Sequence, residues 1–153
     1  MSSKLLDTLN EAQREAVTYD GGPLLVLAGA GSGKTRVLTH RVAYFIEEEK
    51  ITPDNVLLLT FTNKAADEMK GRVQALTKRT PTFAGTFHSF CVKILRVDGE
   101  KIGIPKDFLI YDTGDKKAAL REIIKDLNLP KESYKPGGMA AAISEAKNQM
   151  LSP

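Results

Sequence analysis

Eight residues, AGAGSGKT from Ala28 to Thr35, have the makeup of a phosphate cradle. A glycine-rich turn between a strand and a helix aims successive backbone N–H groups at one point, and the helix N-terminus adds positive potential there. Gly29, Gly31 and Gly33 permit the tight curvature and the close approach of oxygen atoms that such a turn needs. Lys34 suits the β- and γ-phosphates of a nucleoside triphosphate, and the Thr35 hydroxyl suits a Mg²⁺ ion. The general pattern is G-x-x-x-x-G-K-S/T. Here Ala28 stands first, where only a small residue is needed, and Ala30 and Ser32 fill variable positions. A plain glycine-rich turn opening a helix is the competing reading, and the flanking elements weigh against it.

Those elements follow from hydrophobic periodicity. Leu9 to Tyr19 reads as a short helix with Asn10 as N-cap, stopped by Asp20-Gly21-Gly22-Pro23. Pro23 to Ala28 is a continuous apolar run, as expected of a strand buried on both faces. From Lys34 to Glu49, Val37, Leu38, Val42, Phe45 and Ile46 share one helical face. Asn55 to Thr62 predicts a second buried strand, Asn63 to Ala75 a helix, Thr82 to Gly85 a third strand and Phe87 to Arg96 another helix. Strands alternating with helices at this spacing predict an α/β fold with a parallel sheet. After Gly99 the pattern turns mostly helical. Phe108 to Tyr111 is a short apolar run, and Asp115 to Leu127 is an amphipathic helix with Ala119, Leu120, Ile123, Ile124 and Leu127 inward. Lys135 to Gly138 reads as a turn before a helix from Met139 to Met150.

Composition bounds the class. The 153 residues are 42% hydrophobic and 27% charged, which fits a soluble globular chain and excludes a disordered one. A net charge of +3 is compatible with a polyanionic partner without demanding one. The single cysteine, Cys91, can form no internal disulfide, and no Cys/His cluster offers a zinc site; Cys91 and Phe90 are expected in the core. No stretch has the length of a membrane span or a signal peptide, so a reducing cytoplasmic setting is the expectation, with no membrane partner.

A series of segments now carries a resemblance. Leu9 to Val17 (LNEAQREAV), then AGAGSGKT, then TFTNKAADEM from Thr60 to Met69, then GTFHSF from Gly85 to Phe90 resembles, in order and spacing, the UvrD/Rep/PcrA family of superfamily-1 DNA helicases. More loosely the likeness extends to the closing ISEAKNQMLSP, similar to part of that family's helical insertion. An alanine-led phosphate loop is the usual form there. The resemblance implies a P-loop NTPase of RecA-like fold using ATP and Mg²⁺. Residues 1–100 would be the start of its first motor domain and residues 101–153 the start of the helical insertion. It also implies movement along single-stranded DNA from 3′ to 5′ and action on duplex–single-strand junctions. In the family the glutamine of the leading motif reads adenine, which falls on Gln13; a carboxamide can donate and accept in one plane. Arg36 lies where a family residue nears the base or phosphates, and reads equally as an exposed arginine.

For DNA, the resemblance implies that Phe61 stacks on a base while Thr62 and Asn63 meet the sugar–phosphate backbone. Asn63 also reads as a helix N-cap, and both roles can share one helix terminus. Thr86, Phe87 and His88 form the second implied contact; an imidazole can donate to a phosphate, though a lone histidine also reads as structural. Lys64 and Lys70 read as a solvated face.

An NTPase motor of this kind also needs an acidic pair, one residue for the metal and one to orient water. The family supplies them in an Asp-Glu-x-Gln-Asp run, which this sequence lacks. The expectation is therefore the N-terminal piece of a longer helicase that binds nucleotide without hydrolysing it. A complete small P-loop kinase or NTPase is the alternative, with Asp112, after the apolar Phe108-Leu109-Ile110-Tyr111, as its metal ligand. Thr113 stands where that role needs a glutamate, and Gly114-Asp115 reads as a turn and cap.

Overall fold

In the computed structural model, residues 5–152 are described; Met1 to Lys4 and Pro153, which the expected divisions include, lie outside them. The chain forms two compact units, one running to Ile104 and one starting at Pro105.

The first unit mixes helix with a small parallel sheet. Helix α1 spans Glu11–Thr18, α2 Lys34–Glu47 and α3 Asn63–Thr77; strand β1 is Leu57–Thr60, β2 is Phe83–Thr86, and α4 follows at Phe87–Asp98. The strands pair in parallel, Leu57 opposite Phe83 and Thr60 opposite Thr86, with α3 as the crossover between them. That order reproduces the expected strand–helix–strand–helix run from Asn55 onward.

Helix α2 lies between two packing partners. Its Val37 joins Leu9 and Val17 on the α1 side, where Leu6, Ala16 and Tyr44 add half-buried cover. Its Val42 and Ile46 pack with Met69 and Val73 of α3 over Leu58 of β1. So α2 is buried on more than the expected face: Thr39 and His40 are buried too. Both are satisfied by the helix itself. Thr39 Oγ1 donates to the Thr35 carbonyl at 3.0 Å, and His40 Nδ1 lies 2.9 Å from the Arg36 carbonyl. Buried polar groups are tolerated when so paired.

The apolar run from Pro23 to Ala28 departs from expectation. It forms no strand and is exposed throughout. Leu24 and Val26, about 40% exposed, line a hollow with Ala16, Val37, Leu38 and Arg41, whereas Leu25 and Leu27 are 81% and 86% exposed. The run keeps the two-sided alternation of extended chain. Among the described residues, however, no second strand meets its backbone groups, and a strand exists only as part of a ladder. Cys91 also departs, being exposed rather than core, and Phe90 is half-buried. Helix α4 has no fully buried residue, because its neighbours cover only part of its surface.

The second unit holds α5 (Thr113–Asp126) and α6 (Pro136–Asn148), packed on each other. Ile124 is buried, but Ile123 and Leu127 stay half to mostly exposed, since one partner helix covers a narrower stripe than the apolar pattern offers. Phe108 to Tyr111 forms no strand, and Leu109 and Ile110 are exposed. The expected turn at Lys135 to Gly138 is the start of α6. Lys135 is the N-cap and Pro136 sits in the first turn, where a missing N–H costs nothing. No helix among the described residues is long and apolar enough to cross a membrane.

Candidate functional site

Helix starts in this chain fall into two kinds. Asn10, Thr62, Thr86 and Asp112 cap α1, α3, α4 and α5 with side-chain oxygens. Helix α2 has no such cap, nor has α6, which starts after Lys135 with Pro136 in its first turn. The N-cap of α2 is Gly33, in the left-handed region at φ 88° and ψ 23°. The first intrahelical bond there runs from the Val37 N–H to the Gly33 carbonyl. The N–H groups of Lys34, Thr35 and Arg36 therefore point out of the helix end with no capping side chain. A cluster of uncapped donors at the positive end of a helix fits an anion.

The loop before it is held by its own contacts. Ser32 Oγ donates to the Gly29 carbonyl at 2.7 Å, and the Lys34 ammonium donates to the Ala28 and Gly29 carbonyls at 2.9 and 2.6 Å. Gly31, at φ 77°, supplies the second left-handed position, and Ala30 lies between these fixed points. Lys34 is thus folded back over the cradle with a third N–H to spare. Thr35 and Arg36 are exposed beside it.

Gln13 is brought to the same place. Its Nε2 donates to the Ser32 carbonyl at 3.0 Å. A Cβ on residue 33 would lie 2.8 Å from that nitrogen and displace the end of the Gln13 side chain, while the left-handed φ is what calls for glycine there. All ten residues from the leading motif and the loop, Gln13 and Ala28 to Arg36, are therefore neighbours. Arg41 carries no signal in the sequence: its guanidinium donates to the Ala16 carbonyl at 2.8 Å, tying the end of α1 to α2, and stacks 4.5 Å from the Phe45 ring centroid. No local pattern announces such a long-range tie.

A second cluster sits at the carboxyl ends of the paired strands. Because Thr60 is opposite Thr86, Phe61 and Phe87 leave the sheet side by side, with ring centroids 6.2 Å apart. Phe61 is 91% exposed and Phe87 52%. The next residues open α3 and α4. Thr62, not Asn63, is the N-cap of α3, accepting from the Ala65 N–H at 3.2 Å; Asn63 is the first helical residue. The shift by one residue reflects the strand geometry that Thr62 still keeps, at φ −127° and ψ 146°. Thr86 caps α4 through the Ser89 N–H at 3.2 Å, and His88 is exposed in the first turn. At Gly85 a Cβ would lie 2.7 Å from Ser89 Oγ and 2.9 Å from the Phe83 ring, so any larger residue would displace those side chains. Two helix N-termini and two aromatic rings thus share one edge, the end of a parallel sheet where ligands characteristically bind.

Asp112 serves α5 as its N-cap. Its Oδ1 accepts from the Asp115 N–H at 2.8 Å while Asp115 returns the bond at 3.0 Å. Among the described residues no group of three or more His, Cys, Asp or Glu could hold a metal ion.

Comparison with known proteins matches residues 9–153 to the UvrD/REP helicase N-terminal domain. The chain is similar to the ATP-dependent DNA helicase PcrA of Staphylococcus aureus, 48% identical over 151 residues, which is 97% of this chain and 21% of that protein. Against the protein of the same name from Bacillus subtilis it is 48% identical over 155 residues, 100% of this chain and 21% of the relative. For Staphylococcus epidermidis the figures are 46% over 151 residues, 97% and 21%. The chain thus spans about a fifth of the length of these relatives.

The geometry of residue 33 yields a prediction. Gly33→Ala should lower the unfolding free energy by about 1–2 kcal/mol, the cost of a left-handed non-glycine residue, with the Gln13 clash adding to it. Gly29→Ala meets no neighbouring atom and has no positive φ, so it should be neutral or stabilising by up to about 1 kcal/mol. Urea denaturation of the two variants checks the contrast; equal effects would contradict this loop geometry.

Proposed function

This chain belongs to the UvrD/REP helicase N-terminal domain family, and on that premise we propose that it is the ATP-binding N-terminal portion of a DNA helicase moving 3′ to 5′ on single-stranded DNA. The observation that carries the proposal is a shared core. Helix α2 begins at the phosphate loop, α3 begins at Phe61-Thr62, and the two pack directly through Val42, Ile46, Met69 and Val73. A nucleotide-dependent shift at one helix start has a rigid route to the other.

In this reading residues 1–100 begin a RecA-like motor domain and residues 101–153 begin its helical insertion. The uncapped start of α2 and the curved loop Ala28–Gly33 receive the phosphates. Lys34 exchanges its two carbonyl partners for phosphate oxygens, a stronger charge-assisted contact. Thr35 is the residue that would hold Mg²⁺, and Gln13 faces the base, with Arg36 beside them. ATP with Mg²⁺ supplies the free energy of hydrolysis. On the DNA side Phe61 and Phe87 stack on bases, while Thr62, Asn63, Thr86 and His88 contact the backbone at the two helix starts. The intact protein then acts at duplex–single-strand junctions in the cytoplasm.

Lys34→Ala is expected to weaken Mg-ATP binding to this chain about tenfold or more, from the roughly 1.5–3 kcal/mol of a charge-assisted contact. Equal affinity by calorimetry would remove the loop from the site. The chain should bind without turnover, with or without DNA, because it contains no Asp-Glu-x-Gln-Asp run to orient water and no second-domain arginine; its Asp67-Glu68 step lies within α3, where Glu68 pairs with Arg72. Multiple turnovers lost in both Lys34→Ala and Asp112→Asn would instead favour a complete small NTPase. On the DNA side, binding of oligothymidylate should fall with salt and weaken by about 1–3 kcal/mol in Phe61→Ala. Unaltered affinity in fluorescence titration would argue that the ring makes no stack.

A further inference from the structure

The run from Pro23 to Ala28 lacks partners for its side chains and its backbone alike. Exposure alternates along it, with Leu25 and Leu27 mostly exposed and Leu24 and Val26 half turned to the hollow beside α1 and α2, as in an extended strand. None of its residues has a positive φ. Among the described residues no hydrogen bond reaches the backbone of Leu24, Leu25, Val26 or Leu27; at Ala28 the carbonyl accepts from the Lys34 ammonium at 2.9 Å.

An open apolar edge is a template for another strand, and proteins blunt such edges with charge, proline or a covering segment. Here the sequence is uncharged from Gly21 to Gly33, and its one proline, Pro23, stands at the end of the run. No described segment pairs with it. Only Met1 to Lys4 and Pro153 lie outside the described residues, and Met1, Ser2, Ser3 and Lys4 offer a single apolar side chain. The occupant that matches the run in length, apolar character and lack of charge is the same run in a second molecule.

We propose that residues 24–28 pair antiparallel with the same residues of a second copy of this chain, about a two-fold axis at Val26. Directly opposite residues of an antiparallel pair share a face. With the axis at Val26, Leu25 lies opposite the second copy's Leu27 and Leu27 opposite its Leu25, so the two most exposed leucines of each copy meet. An axis at Leu25 would set Leu27 against proline, which has no N–H to give. The Lys34 contact chooses the phase of the ladder. Opposite pairs alternate between hydrogen-bonded and non-hydrogen-bonded. Bonded pairs at Leu25 and Leu27 make four bonds and leave the Ala28 carbonyl to Lys34, whereas the other phase calls on that carbonyl. The contact is isologous and closes as a dimer. Its surface is small, so the dimer is weak and concentration-dependent. Neither nucleotide nor DNA enters this pairing.

Sedimentation equilibrium and amide hydrogen exchange on the full 153-residue chain test it. The wild type should pass from monomer to dimer as concentration rises. The Leu25 and Leu27 amides should gain protection in step, while those of Leu24 and Val26 do not. Leu25→Lys with Leu27→Lys sets like charges opposite one another and should weaken the dimer about tenfold or more. Leu25→Lys with Leu27→Glu sets opposite charges across the two-fold axis and should recover most of that loss. Both positions face solvent in the monomer, so neither variant threatens folding. A wild type that stays monomeric up to about 1 mM overturns the proposal, and so does a dimer that the two lysines leave unweakened. Equal weakening by both variants rules out the antiparallel register. Equal protection of all four amides rules out the ladder. Protection already present in the monomer would mean that the chain's own residues cover the run. Growth beyond a dimer would mark pairing with a different edge. Each of these four results also overturns the proposal.

Discussion

The packing of α2 against α3 over β1 is the contact on which the first unit depends. Ile46 and Val73 are fully buried, Leu58 and Met69 nearly so. Each such side chain contributes about 1.5–3 kcal/mol relative to exposure. Remove that cluster and the two-stranded sheet loses the crossover helix that covers it, since an isolated pair of strands is at best marginal in water. The same cluster sets the distance between the start of α2 and the start of α3. Both candidate sites are helix starts, so their mutual placement is a property of this core.

Capping chemistry differs among the helix starts, and an uncapped start is not by itself a ligand site: α6 begins at Lys135 without a side-chain cap. At α1 and α5 the chain supplies an oxygen, from Asn10 and Asp112, each in a reciprocal box. Where a ligand is proposed, the cap is either withheld, as at Gly33, or supplied by a threonine that leaves further N–H groups outward, as at Thr62 and Thr86. The energetic logic is the same at every terminus. Orphan donors must be satisfied by a side chain, by water or by a ligand. A glycine cap leaves the last two choices.

Aromatic exposure follows a similar logic. A phenylalanine 91% exposed loses the roughly 1.5–3 kcal/mol that burial would give it. Beside it Phe87 is half-exposed, and together they make an apolar surface between two positive helix ends. Such a surface has the two properties that an unpaired polynucleotide matches, faces for stacking and potential for phosphates.

How much of this was legible in the residues can be read element by element. The glycine spacing of the loop, the Asn10 cap, the periodicity of α2 and α3, and the alternation of strands and helices from Asn55 to Arg96 are local signals. Local geometry follows from them because a left-handed turn needs glycine and an orphan N–H needs an oxygen nearby. The run from Pro23 to Ala28 shows the limit. Its apolar character states a preference for burial, but a strand is defined by partners, and sequence names none; in the structure Leu25 and Leu27 face outward. Buried Thr39 and His40 were invisible for the converse reason: polar types conceal burial when the helix's own carbonyls satisfy them. Sequence by itself determined the glycine-rich turn before α2 and the threonine caps of α3 and α4. Only tertiary structure decided that Gln13 meets the loop at Ser32 and that Phe61 meets Phe87 across a parallel pair. Those meetings depend on how helices pack and strands register, and such non-local choices are set by the whole core rather than by any one segment.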